Sequence, residues 1–442
     1  MARWRPAGLA LLAGLAAAAG APAPAAALQA GAASVDVALP EGTPLAGYGG
    51  FPRRAWVPDV LGLRPHAFWL RPSRGVHDPV KARALALDDG RASLVWLAID
   101  LVGTDPSLVE ELRGRLARAG LPPAALIISA SHTHSGPGAY AESALFAMVA
   151  LDRRSPEVRA RVLDALERAA REAHARRAPA RVGAGAGEVR DVARSRLGAP
   201  LDPTLGVLKV VGADDRPIAI LWNYAIHGTA LGRGNLLVSG DLMAEASARI
   251  ERRLGVPALF VNGAVGDVSP AGRGWGGAAE IGERLAREAL AVWGRITPEA
   301  DARLATLSGR TALPAPSLSL RNCLGRWLPD WLRLGLGAAL PRSAELLAVA
   351  IGRSGWVTVP GELETRLGRD VKAAGSRFQH AFVAGVSNDY LGYFLGQEAY
   401  GRPSYVACAS LYGERGGELV RDAAGALLGR LGAEATAGTA TR

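Results

Sequence analysis

The sequence predicts an α/β fold: a mixed β-sheet flanked by helices in a single large domain. Three observations carry this expectation. Apolar, β-branched runs alternate with amphipathic helical patterns along the chain. No Pro-, Gly- or Ser-rich linker divides residues 31–434, and no internal repeat is visible. The 442 residues are 49% hydrophobic and 21% charged, ordinary globular usage that excludes a wholly disordered or collagen-like chain.

The elements follow in order. Arg3 and Arg5 precede the apolar run from Leu9 to Leu15, and Pro22 and Pro24 break it before Ala25-Ala26-Ala27. Residues 1–27 therefore read as a cleavable secretory signal, which makes the protein exported, periplasmic or secreted. Ser93–Asp100 reads as a buried strand. Asp105 caps a helix that opens with Pro106, carries Leu108, Leu112 and Leu116 inward, and ends at Gly120. Ala125–Ser131 is a second strand. Ser155-Pro156 starts a long helix reaching about Arg177. Val207–Val211 and Ile218–Ile226 form a strand pair around the turn Asp214-Asp215. Asp241–Leu254 and Ala278–Trp293 are helices around the strand Ala258–Val261. Trp356–Val359 is a strand that leads into a helix from about Glu362. Ala381–Val386 is a strand, Glu418–Leu431 a closing helix, and 435–442 a flexible tail.

Residues 314–350 depart from the pattern. Leu318, Leu320, Leu324, Trp327, Leu328, Trp331, Leu332 and Leu334 are interleaved with Arg321, Arg326 and Arg333. This is the composition of an interfacial amphipathic segment, and Pro329 splits it into two short helical pieces. It reads either as a helical pair packed on the core or as a lid or peripheral membrane-docking segment.

The formal net charge is +10, and nearly all of the cations are arginine; the lysines are Lys81, Lys209 and Lys372. No basic run or aromatic interleaving marks a nucleic-acid surface, so no nucleic-acid partner is expected. Affinity for an anionic membrane is a secondary reading of the charge. No feature calls for an obligatory protein partner. Two cysteines, Cys323 and Cys408, exclude a disulfide scaffold, and whether they pair is open at this level.

Chemistry-bearing residues cluster at strand ends, where α/β proteins place their sites. Ser131-His132-Thr133-His134-Ser135-Gly136-Pro137-Gly138 follows a buried strand. Asn223-Tyr224-Ala225-Ile226-His227 ends another. Gly266-Asp267-Val268-Ser269-Pro270 lacks the Gly-x-Ser-x-Gly elbow of a serine hydrolase. Val359-Pro360-Gly361-Glu362 puts a carboxylate where a helix would open. Asn388-Asp389-Tyr390-Leu391-Gly392-Tyr393 completes the set. His132, His227 and Glu362 together supply two imidazoles and a carboxylate, the ligand set of a catalytic zinc; polar groups satisfying one another around a cleft are the alternative. His66, His174 and His380 read as packing residues, whereas His77, in His77-Asp78-Pro79, is a candidate to line the cleft.

Those five motifs, in that order, resemble the neutral ceramidase family, the neutral/alkaline non-lysosomal amidohydrolases, in islands across residues 40–430. The resemblance implies one Zn2+ per chain, held by His132, His227, Glu362 and Tyr393. It implies catalytic roles for His134, which helps polarise or protonate the amide, and for Ser269. Arg194 resembles a family arginine near the substrate's polar end, and Tyr390 is a further substrate-side candidate. Asp100 and Asp241 are candidates to orient the ligands. The implied activity is hydrolysis of the N-acyl amide of ceramide or a ceramide-like lipid to a fatty acid and a sphingoid base. Either Ser269 or water could be the nucleophile. Ceramidases proper carry a further immunoglobulin-like domain, so an ending at Arg442 suggests a short form of catalytic domain alone. Two other readings stay open: a zinc hydrolase of another small acyl amide or ester, and a non-catalytic lipid-binding protein on the same fold.

Overall fold

The structure, a computed structural model, describes residues 27–440. The signal expected over residues 1–27 lies almost wholly outside the described residues. The protein is a sandwich of two sheets with helices on both outer faces. The larger sheet has eight strands, in the spatial order Ala125–Ala130, Ser93–Ile99, Lys81–Asp88, Gln29–Asp36, Ala178–Glu188, Thr204–Gly212, Pro217–Tyr224 and Ala258–Asn262. Only the outermost pair at each end is parallel. The sheet curves enough for its two edge strands to touch. The smaller sheet runs Leu304–Ala312, Ser343–Ile351, Ser354–Val359 and His380–Gly385, with its last pair parallel.

The layer between the sheets is dry and aromatic. Trp96, Trp356 and Phe382 stack through it, with ring centroids 5.3 and 4.3 Å apart. The Trp96 indole donates to Ser129 Oγ at 3.0 Å, so its polar edge is satisfied within the core. Outside, helices Pro106–Arg118 and Pro156–Ala175 cover one flank through their leucine and valine stripes. Helices Asp241–Leu254 and Gly274–Arg295 cover the other flank. Helices Thr365–Ala374 and Gly413–Ala440 cover the smaller sheet. Asp105 and Ser155 cap their helices through side-chain oxygens, each followed by Pro at the first helical position. No helix among the described residues is long and apolar enough to cross a membrane.

Several expectations are corrected. Glu362 does not open a helix; it lies in a two-residue strand paired with Tyr393, and the helix begins at Thr365. The closing helix is longer than Glu418–Leu431 and continues over 435–440, where the sequence suggests a tail. Residues 314–350 are not two amphipathic helices. Ser317–Ser319 pairs with Arg333–Gly335 around one helical turn, Leu320–Leu324, and Ser343–Ile351 is a strand of the smaller sheet. Trp327 and Trp331 are 78% and 77% exposed, so the Trp-Leu periodicity does not mark a packed helical face. The segment is instead held covalently. Cys323 and Cys408 form a disulfide that closes an 85-residue separation. Cross-links over long loops stabilise by about 2–4 kcal/mol. Replacing both cysteines by serine should free this segment first, so trypsin should cleave after Arg326 and Arg333 several-fold faster than in the wild type, with the far-UV circular dichroism unchanged.

Candidate metal centre and active site

The site forms where strand ends from both sheets meet. Strand Ala125–Ala130 ends in a sharp turn at His132, whose φ is +65°. Strand Pro217–Tyr224 leads to His227. The two loops pair with each other: His134 N–H donates to Gly228 O at 2.8 Å and Gly228 N–H to His132 O at 3.2 Å. Asn262, fully buried at the end of the opposite edge strand, holds both. Its amide nitrogen donates to Ser131 O at 3.1 Å and Ile226 O at 3.0 Å. From the smaller sheet, Glu362 N–H donates to Gly392 O at 2.9 Å. Asn388 accepts from Ile128 N–H at 2.7 Å and so ties the Tyr390–Tyr393 segment to the His132 strand. Non-glycine residues with positive φ gather here: His132, Asp241, Val386 and Asn388. Left-handed backbone at a β-branched residue such as Val386 is costly, and such strain concentrates at functional sites.

Glu362 lies between the two imidazoles. His132 Nε2 is 3.2 Å from its Oε1, and His227 Nε2 is 2.9 Å from its Oε2. All three side chains are buried. His132 Nδ1 is 2.5 Å from Val102 O, so Nδ1 carries a proton for that carbonyl and the ring is turned with Nε2 toward Glu362. Burial opposes ionisation of Glu362, but His132 and His227 outweigh it and hold the carboxyl well below its usual range. Burial and the Arg196 charge push His227 down to about 3. Burial, with His132 and His227 beside it, also pushes His134 well down. A neutral imidazole at His227 and an ionised carboxylate at Glu362 are protonation states a metal requires of its ligands.

The donor set fits a metal. His132, His134 and His227 present ring nitrogens all within 4.8 Å of one another. His132 Nε2, both nitrogens of His134, His227 Nδ1 and Glu362 Oε2 are buried without a hydrogen-bond partner among the described residues. Buried polar atoms without partners are rare in folded chains. Two ligand sets overlap here: the three histidines, and His132 and His227 with Glu362. The Tyr393 hydroxyl is 3.5 Å from His227 Nε2, and the Tyr390 hydroxyl donates to Glu362 Oε1 at 2.6 Å. Both phenols therefore reach the centre.

Ser269 lies on a short strand paired with Ala193–Ser195. It is Arg196, not the expected Arg194, that reaches inward. Its guanidinium donates to Ser269 Oγ at 2.8 Å and to the Tyr393 hydroxyl at 3.0 Å. Arg194, directly opposite Ser269 in register, is exposed at the cavity wall. His77 stands apart: it is exposed, 3.0 Å from Asp78 and stacked on Trp275. Asp100 does not touch a ligand; it pairs with Arg83 at 3.3 Å and accepts from Lys81 N–H. The carbonyl of Val102 orients His132 in its place. Asp241 accepts from the backbone N–H groups of Leu231 and Leu242, so it braces the loop after His227 rather than the imidazole.

Sequence reasoning missed Asn262, Arg196 and Gly47. A Cβ at Gly47, where φ is +93°, would lie 2.4 Å from His134 Nδ1. The loop holding Gly47 thus packs directly on the His134 ring, and Tyr48 meets the same ring edge-on at 4.9 Å. Two cavities join at His134 and Tyr393. One, of about 770 Å³, is lined mostly by apolar side chains such as Phe146, Leu318, Leu334, Leu340 and Leu411. The other, of about 1040 Å³, holds Ser269 and Arg196.

Two outcomes test this geometry. His134→Ala should retain bound zinc and lose activity if His134 transfers protons, whereas loss of zinc in mass spectrometry of the native protein would make it a ligand. Asp389, at the apolar cavity, is pushed up to about 7 by burial, with Asp105 and Glu345 adding to it. The unfolded carboxyl ionises near ~4, so the folded chain holds an extra proton between about pH 4 and 7 and loses stability as pH rises through that window. Asp389→Asn removes this slope, and its Tm advantage over wild type should grow from pH 4.5 to pH 7.5.

Comparison with known proteins bears on the family and the fold. The family described as neutral/alkaline non-lysosomal ceramidase, N-terminal, matches residues 66–280. The neutral ceramidase of Pseudomonas aeruginosa is 26% identical over 233 residues, 48% of this chain and 34% of that protein. The neutral ceramidase of Oryza sativa subsp. japonica is 26% identical over 207 residues, 41% of this chain and 26% of that protein. These alignments span about a third or less of the curated relatives' length. The crystal structure of neutral ceramidase from Pseudomonas aeruginosa superposes with a TM-score of 0.77 at 19% identity, covering 92% of this chain and 75% of that one. Residues 66–280 thus match the neutral/alkaline non-lysosomal ceramidase family, and the likeness in fold to a neutral ceramidase extends over 92% of the chain.

Proposed function

We propose that the protein is a zinc-dependent amidohydrolase that cleaves the N-acyl amide of ceramide or a ceramide-like lipid. The observation that carries this reading is the convergence of His132, His227 and Glu362 at the junction of an apolar and a polar cavity. Zinc held by His132, His227 and Glu362, with Tyr393 beside them, would supply a Lewis acid for the amide carbonyl.

The chain's own residues do the rest. The apolar cavity takes hydrocarbon, so the scissile amide is brought to the buried histidines while its chain is removed from water. Arg196 holds Ser269 and Tyr393 in one plane of hydrogen bonds at the polar side. Among the described residues the side-chain partner of Ser269 is a guanidinium, which stays protonated at neutral pH and cannot take the hydroxyl proton. Ser269 is therefore read as a binding group, and water as the nucleophile. His134 is neutral and buried, with no hydrogen-bond partner at either nitrogen among the described residues, and is suited to carry a proton to the leaving amine as the C–N bond breaks. The water oxygen ends in the fatty acid, and its proton in the amine.

The exposed Trp327 and Trp331 belong to the segment whose Leu318 and Leu334 line the apolar cavity, which supports lipid entry from a peripheral membrane surface. The Cys323–Cys408 disulfide supports an oxidising compartment, in line with export. The zinc-loaded protein should release labelled fatty acid from ceramide, with His132→Ala lowering kcat/KM at least 1000-fold and Ser269→Ala about 10–100-fold. Equal rates for His132→Ala and wild type would end the proposal.

A further inference from the structure

The polar cavity has an unusual charge pattern. Arg54, Arg194, Arg196, Arg233 and Arg273 line it, and no aspartate or glutamate does. The adjoining apolar cavity has the opposite bias: Asp105, Glu142, Glu362 and Asp389 are among its lining residues, and no arginine or lysine is. The two cavities share His134 and Tyr393, so this segregation runs across the site itself. Arg194, Arg233 and Arg273 make no side-chain hydrogen bond or ion pair to any described residue. Arg54 is held by the carbonyls of Gly49 and Met148 and keeps its charge uncompensated. Helix Gly274–Arg295 also begins at this wall, with Arg273 at its N-cap and no side-chain cap. Its positive end adds to the same field.

An uncharged head group gives five guanidinium groups nothing to neutralise. Guanidinium forks match phosphate and carboxylate oxygens in paired hydrogen bonds. A cleft of one sign also concentrates ligands of the other, and salt weakens the effect. We propose that the amide lipid this enzyme cleaves carries an anionic head group (phosphate, sulfate or carboxylate), seated among Arg54, Arg194, Arg233 and Arg273, with its hydrocarbon in the apolar cavity. The proposal rests on the amidohydrolase reading for the position of the scissile bond, but the head-group site stands on the cavity alone.

The experiment has a kinetic arm and a binding arm. In the first, kcat/KM is measured for ceramide, its 1-phosphate and an N-lauroyl amino acid at low salt and in 0.5 M NaCl. An anionic substrate should be favoured at least tenfold over ceramide at low salt. The double variant Arg233→Gln/Arg273→Gln should lower that ratio about tenfold, and high salt should lower it too. The winner between phosphate and carboxylate identifies the anion. Ceramide cleaved as well as or better than both, with a ratio unmoved by the double variant, overturns the proposal. In the second arm, calorimetry compares dodecyl phosphate with 1,2-dodecanediol below their micelle concentrations. Tighter binding of the phosphate, lost in the double variant, upholds the head-group site even if no amide is cleaved, in which case the amidohydrolase reading fails alone. Equal binding of the two amphiphiles overturns the site.

Discussion

The Glu362 carboxylate, buried between His132 and His227, is the contact on which the site depends. Three ionisable side chains have been removed from water at one point, and none is compensated by a distant charge alone. Burying a carboxylate is tolerable only when close partners replace its hydration. The two histidines follow strands of the larger sheet, and the carboxylate follows a strand of the smaller one. The sandwich therefore has to close correctly before the carboxylate meets the imidazoles, and the polar contact reports on the whole tertiary arrangement. The hydrogen bonds of Asn262 serve the same end from the opposite edge strand: one side chain sets the spacing of the two histidine loops.

The second organising feature is the division of space around that contact. One cavity is closed by leucines and aromatic rings, the other by arginines and glycines, and the reactive groups stand on the boundary. An amphiphile placed across such a boundary has its orientation determined before chemistry begins. Hydrocarbon on the cationic side would leave guanidinium groups desolvated, and an anion on the other would meet carboxylates. Orientation of this kind lowers the entropic part of the barrier.

Much of the frame was legible in the sequence. Helix Asp241–Leu254 and the capped starts at Asp105 and Ser155 follow from local chemistry that needs no tertiary partner. The histidine motifs were legible because they punctuate strand ends. Other parts were hidden for identifiable reasons. Strand Ala178–Glu188 reads GAGAG over residues 183–187, the opposite of β-propensity. Its glycines are there because a Cβ at Gly183 or Gly185 would lie 2.7 or 2.8 Å from the Ile296 side chain of the crossing segment. Glu362 was recognised as a ligand candidate but assigned to a helix start, because its pairing with Tyr393 is a contact across 31 positions that no local pattern encodes. Arg196 was missed for Arg194 because Arg196 lies just past the strand Ala193–Ser195, and only the tertiary packing that brings its guanidinium onto Ser269 and Tyr393 tells the two apart. The Trp-rich segment misled for a different reason: its aromatic residues are exposed, so periodicity there does not reflect burial.

The central claim is that side chains from three separated segments bind one divalent ion. Anomalous diffraction at the zinc absorption edge, from crystals of the protein grown with zinc, tests it most directly. The account predicts one strong peak within bonding distance of His132, His227 and Glu362. No peak among those side chains, with zinc bound elsewhere or not at all, would contradict it.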